Sequence, residues 1–189
     1  MALKNQPGTA ENRQLRGDLA GRHESRAAAS LYTPEERRRR DSTVWTLVQG
    51  VLAPVQFLVF LVSLGLVLRY FGTGEGAFAA DVSIIIKTLT LYTIMITGSI
   101  WEKVVFGKWL FAHAFFWEDV FSMLVLALHS LYLVMLLGAI GTVEQRMGVA
   151  LAGYAAYVVN AAQFLWKLRV ARLQGAAIDE SPQRLAVAR

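Results

Sequence analysis

From Val51 to Leu68 the chain runs for eighteen residues without a charged side chain. As a helix, that stretch rises about 27 Å at 1.5 Å per residue, close to the ~30 Å hydrocarbon core of a bilayer. Four segments reach the length a membrane crossing needs: 44–70, 82–106, 115–140 and 145–168. The second and third carry ionisable residues, and the fourth is rich in Ala and Gly. The pattern predicts an all-α fold, an integral membrane bundle of four transmembrane helices. A soluble helical bundle would show a charged face on each helix, and these segments have none. Charged residues make up only 17% of the chain, against about 25% in soluble domains. With no cysteine, disulfide frameworks, thiolate metal sites and cysteine nucleophiles are excluded.

Charge is concentrated in the two ends. Residues 1–43 hold nine Lys/Arg against six Asp/Glu, residues 44–166 five against six, and residues 167–189 five against two. A neutral middle with basic tails suits an anionic membrane surface. It does not suit nucleic acid, which calls for a folded basic face. Arg37, Arg38, Arg39 and Arg40 precede the first span, Lys103 and Lys108 lie by the second loop, and Lys167, Arg169 and Arg172 follow the last span. The opposite side holds Arg69 and Arg146. The positive-inside rule therefore predicts that both termini are cytoplasmic, in the cytoplasmic (inner) membrane. Residues 1–30 have no apolar h-region of a signal peptide and read as disordered. The four-helix domain is expected over 31–173, with a loose tail over 174–189. Thr33, Pro34 and Glu36 form a helix start, with Thr as N-cap and Pro at the first helical position.

Each span carries a stripe of polar or small residues at helical spacing. The stripes are Trp45, Gln49, Gln56 and Ser63; Thr88, Tyr92, Met95, Ser99 and Glu102; Glu118, Ser122, His129 and Tyr132; and Gly153, Tyr157, Asn160 and Phe164. Polar groups avoid lipid, so the stripes are expected to face one another. Glu102 and Lys103 close the second span, Glu118 and Asp119 open the third, and His113 lies in the loop between. This clustering predicts a pocket near the cytoplasmic interface. His129 shares a face with Glu118 but lies about 16 Å deeper. Plainer roles exist for each: Glu102 and Lys103 as interfacial residues reaching water, Asp119 as a helix N-terminal acid, and His129 as a packing residue. Gln49, Gln56 and Asn160 would also serve as interhelical glue, and the Trp residues, Trp166 above all, as belt anchors. Lys87 is expected to snorkel to the far interface. Pro54 predicts a kink. The three histidines, at 23, 113 and 129, have no metal-site spacing, and no GxSxG is present. No protein-held metal is expected.

Several runs resemble a single family. They are Leu31-Tyr32-Thr33-Pro34-Glu35-Glu36-Arg37, the stretch from Val44 to Pro54, Thr97-Gly98-Ser99-Ile100-Trp101-Glu102-Lys103-Val104-Val105-Phe106-Gly107, and Ala114-Phe115-Phe116-Trp117-Glu118-Asp119-Val120-Phe121-Ser122-Met123. They resemble the 3-vinyl (2-vinyl in older nomenclature) bacteriochlorophyllide hydratase family of bacteriochlorophyll biosynthesis, over roughly residues 31–170. The resemblance implies a lyase that adds water to the 3-vinyl group of a magnesium chlorin, chlorophyllide a or 3-vinyl bacteriochlorophyllide a. The product is the 3-(1-hydroxyethyl) derivative. It implies no cofactor, because the magnesium belongs to the substrate. The implied partners are the chlorin, the lipid bilayer and other pigment-biosynthesis enzymes.

Roles for the residues follow from the chemistry. Hydration places a proton on the terminal vinyl carbon and water on the inner one. That requires a neutral acid and an acceptor for the water proton, and burial disfavours the charged form of a carboxyl group. Glu118 is the expected acid. Asp119 or Glu102 would orient or deprotonate the water. Neighbours on a helix lie about 100° apart, so Glu118 and Asp119 are not expected to point inward together; Glu102 is the better partner. His129 is a candidate ligand to the substrate magnesium. Trp45, Trp101, Phe116 and Trp117 are candidates to stack on the macrocycle, with Gln49, Ser122 and Asn160 as polar contacts. The alternative reading is a noncatalytic membrane protein that binds a tetrapyrrole or assembles a pigment complex. A proton-coupled transporter would show an inverted repeat with broken helices, and the sequence has no repeat.

Overall fold

The computed structural model describes residues 31–187, with side chains to residue 173. The segment 1–30, expected to be disordered, lies outside the described residues. The described elements are all helices: α1 (Pro34–Ser42), α2 (Val44–Thr73), α3 (Ala77–Phe106), α4 (Phe116–Leu137) and α5 (Val143–Val187). Pro34–Val170 form one compact unit. Four helices, α2, α3, α4 and α5 over Val143–Leu173, are long and apolar enough to cross a membrane.

Local chemistry sets the helix ends. The Thr43 hydroxyl caps α2 by accepting from the Trp45 N–H. Gly74 ends α2 in the left-handed conformation (φ 72°), its N–H donating to the Tyr70 carbonyl at 2.8 Å, a position where a side chain would be strained. Thr142 and Gln145 open α5 with a reciprocal cap: the Thr142 N–H donates to Gln145 Oε1 (2.9 Å) and the Gln145 N–H to Thr142 Oγ1 (3.3 Å). Because these caps lie in the connections, α2, α3 and α5 overrun the apolar stretches read from the sequence. α2 is continuous through Pro54. α5 continues as helix to Val187, where a loose tail was expected; once a helix is nucleated, each added residue gains a backbone hydrogen bond.

The helices form an up-down-up-down bundle. Thr46 meets Trp101, Gln49 meets Thr97 and Ser63 meets Ser83, so α2 and α3 run antiparallel. Glu118 meets Lys167 and Ser122 meets Asn160 between α4 and α5. Ser63 with Tyr154 and Tyr70 with Glu144 join α2 to α5 and close the ring. Every residue of the four expected stripes is buried or half-buried. Large apolar side chains such as Leu58, Val62 and Leu165 point outward, as lipid-facing helices require. Phe60, Val67, Ile84, Leu91, Val125, Met147 and Tyr154 belong to one buried apolar cluster.

Lys87 departs from expectation. It does not snorkel: it is fully buried, with Nζ 3.7 Å from the centroid of the Tyr157 ring. Its side chain leaves α3 on the same face as Ser83, Ile84 and Leu91, which the bundle encloses. A desolvated cation–π contact is worth roughly 2 kcal/mol, less than the several kcal/mol needed to strip an ammonium of water.

Candidate active site

At the end of the bundle where α3 finishes and α4 begins, a short connection folds back over the helix ends. Gly107 ends α3 with φ 78°, and Phe111 adopts a left-handed φ of 58°, uncommon for a bulky residue. The fold-back aims two backbone amides inward. The Phe111 N–H donates to Asp119 Oδ2 at 2.7 Å, and the Ala112 N–H donates to Glu102 Oε2 at 3.2 Å. Glu102 and Asp119 are both buried beneath this loop, a pair of neighbouring carboxyl groups. Trp101 packs edge-on against Phe106 and Phe115, and Phe115 stacks on Phe164. Trp101 Nε1 donates to the Thr46 hydroxyl at 2.9 Å.

Glu118 turns the other way, toward α5. Its Oε2 receives the Lys167 ammonium at 2.8 Å, and Lys167 also donates to the Ala114 carbonyl. Glu118 and Asp119 are therefore both buried, contrary to the expectation that one would be excluded. The 100° between them sends one to α5 and the other to α3, and both directions are interior. One helical turn further in, Asn160 Nδ2 donates to Ser122 Oγ at 2.8 Å.

Glu118 also forms part of an open groove of about 510 Å³. Val158, Val159, Ala162, Gln163 and Trp166 of α5 line it with Lys167. That volume falls in the ~300–1,000 Å³ range of small-ligand clefts. The groove is mostly apolar, with the Glu118–Lys167 pair and the amide of Gln163 as its polar features. Gln163 Oε1 is buried without a hydrogen-bond partner among the described residues.

The sequence-derived candidates separate into groups. Glu102, Asp119 and Trp101 come together beneath the fold-back loop, while Glu118, Ser122 and Asn160 line up along the α4–α5 seam. Trp45 and Gln49 are half-buried on α2, and Gln49 Nε2 donates to the Thr97 hydroxyl at 2.8 Å. Phe116 and Trp117 are 44% and 66% exposed, Phe116 packing against Phe111 and Trp117 against Phe116. His113 is exposed in the loop. His129 is 1% exposed and is not on the groove wall; its Nδ1 meets the Val125 carbonyl at 2.8 Å. It packs so closely on α5 that a Cβ at Gly153 would sit 3.0 Å from Nδ1 and Cε1. Sequence reasoning missed Lys167 as a site residue. Its signal was its place seven residues after Asn160, two helical turns along the same stripe.

The family model for 2-vinyl bacteriochlorophyllide hydratase matches residues 32–170. The 2-vinyl bacteriochlorophyllide hydratase of Cereibacter sphaeroides is 68% identical over 146 residues, 76% of this chain and 89% of its own. The protein of the same name from Rhodobacter capsulatus is 65% identical over 150 residues, 79% of this chain and 87% of its own. No solved structure matches.

Proposed function

The chain belongs to the 2-vinyl bacteriochlorophyllide hydratase family, and from that premise we propose that it hydrates the 3-vinyl group of a magnesium chlorin at the Glu118 groove. Chlorophyllide a and 3-vinyl bacteriochlorophyllide a are the substrates proposed, and the product is the 3-(1-hydroxyethyl) derivative. The observation that carries this reading is a buried carboxyl group, paired with Lys167, on the wall of a mostly apolar groove. The flat apolar pigment enters from the lipid side along Val158, Val159, Ala162 and Trp166. Its vinyl edge reaches Glu118, and Gln163 offers an acceptor nearby.

The chemistry is a balanced addition of water. One proton adds to the terminal vinyl carbon, and the resulting cation is delocalised into the macrocycle. Water oxygen then bonds to the inner carbon and gives up its proton. Glu118, held at the groove by Lys167, is the group proposed to accept that proton, and a carboxyl group of the neighbouring Glu102–Asp119 pair is proposed to supply the first. One proton is consumed and one is returned, so no redox cofactor is required, and the magnesium travels with the substrate. The basic residues Arg37–Arg40, Lys103, Lys108 and Lys167 lie at the site's end of the bundle. We therefore place that end, with both termini, on the cytoplasmic side of the inner membrane.

The test is turnover of purified protein in oxygen-18 water with a vinyl chlorin. Label in the product hydroxyl is expected. Pigment that binds but returns unhydrated would instead favour a noncatalytic pigment-binding role.

A further inference from the structure

Polar groups inside the bundle differ between its two halves. In the half away from the site, they mostly satisfy one another. Ser63 Oγ lies 2.7 Å from Ser83 Oγ and 2.5 Å from Tyr154 Oη. The Tyr132 hydroxyl donates to Asp81, whose other oxygen lies 3.7 Å from Arg146. Only the Arg146 Nε remains open there among the described residues.

Between that half and Glu118 the pattern changes. Lys87 Nζ, both amide atoms of Gln56, His129 Nε2 and Asn160 Oδ1 are all buried without a hydrogen-bond partner among the described residues. Their residues are 0%, 1%, 1% and 8% exposed. They belong to one region. Lys87 lies over the Tyr157 ring. The His129 and Tyr154 rings are 5.8 Å apart, and Phe60 joins Tyr154 to Tyr157. Gln56 stands one turn from Phe60 on α2, and Asn160 one turn from Tyr157 on α5. Open buried valences of this kind are where proteins hold internal water.

The hydrogen-bonding character of these groups is complementary. Lys87 only donates. A carbonyl only accepts, so His129 Nδ1 carries the hydrogen toward Val125 and Nε2 of the neutral ring presents a lone pair. Gln56 offers both a donor and an acceptor. Asn160 spends its N–H on Ser122, which leaves Oδ1 to accept. Ser122 is one turn from Glu118.

We propose that Lys87, Gln56, His129 and Asn160 hold a chain of water molecules in the bundle centre, and that this chain supplies the reacting water to Glu118. Its use, though not its presence, rests on the hydratase reading. The two substrates then arrive from opposite sides: the pigment from the lipid-facing groove, and water from the interior. Glu118 stands at the boundary between them. Lys87 acts as a positioning residue, since it orients water without touching the pigment.

X-ray radiolytic hydroxyl-radical labelling of the purified full-length protein tests this, because radicals born at internal waters oxidise the side chains beside them. Tyr132 is the internal control: buried like His129, with its hydroxyl held by Asp81. His129 and Tyr157 are expected to label several-fold faster than Tyr132. Lys87→Met should abolish that excess and lower kcat about tenfold, with KM for the pigment unchanged. Labelling of His129 and Tyr157 no faster than Tyr132 in the wild-type protein overturns the proposal, whether or not the variant folds. Unaltered labelling and kcat in a folded Lys87→Met protein also overturns it. Labelling requires neither pigment nor turnover, so failure of the hydratase reading is seen separately, in the oxygen-18 assay.

Discussion

Lys167 Nζ sits 2.8 Å from Glu118 Oε2 across the α4–α5 seam, so the carboxylate on the groove wall is held by a cation from the helix that builds that wall. Removing this cation leaves a buried charge unpaired. Lys167→Met is expected to lower stability by about 2 kcal/mol, less than the ~3–5 for a fully buried pair, because the Lys167 side chain keeps 25% of its exposure. Lys167→Arg should recover most of the loss. Thermal unfolding of the detergent-solubilised variants measures both.

Glu118→Gln keeps the size of the side chain and removes its ability to take a proton. A positioned acid or base contributes about 10²–10⁴-fold, so turnover should fall at least 100-fold while the pigment still binds. Absorbance and chromatography of the pigment report turnover. A folded variant with near-normal rate would remove Glu118 from the chemistry.

The Glu102–Asp119 pair yields a different signature. Glu102→Gln retains an oxygen for the Ala112 amide, so stability should change by less than about 1 kcal/mol, while loss of a carboxyl group able to give up a proton slows turnover. Glu102→Ala strips that amide of its acceptor and should cost about 1–3 kcal/mol more. Equal stability of the two variants in chemical or thermal unfolding would show that the loop does not rest on this carboxyl group.

Gly153 permits the close approach of His129. Gly153→Ala would place a Cβ 3.0 Å from the imidazole, and overpacking of this kind typically costs about 1–3 kcal/mol. The same substitution in a His129→Ala background should cost much less. A double-mutant cycle measures the difference, and additive effects would mean the two residues do not press on each other.

The interior placement of His129 also bears on pigment binding. If the imidazole serves the bundle core, His129→Ala leaves the absorption bands of bound chlorin where they are in the wild-type complex. A band shift diagnostic of a lost axial ligand would return His129 to the pigment and take it out of the water chain.

The amino-acid order alone determined that four helices form and which face of each turns inward. Apolar length and 3.6-residue periodicity are local properties, and lipid enforces them because a polar side chain has nowhere outside the bundle to go. The same order carried the family resemblance in the runs around Trp101-Glu102 and Trp117-Glu118. Periodicity does not say which inward group meets which. Only tertiary packing paired Glu102 with Asp119 beneath the loop amides and Glu118 with Lys167 at the groove, turned Phe116 and Trp117 outward, and enclosed Lys87 against Tyr157. Those outcomes depend on the rotation and axial offset of each helix against its neighbours, and these are set jointly by all the side chains in the seams.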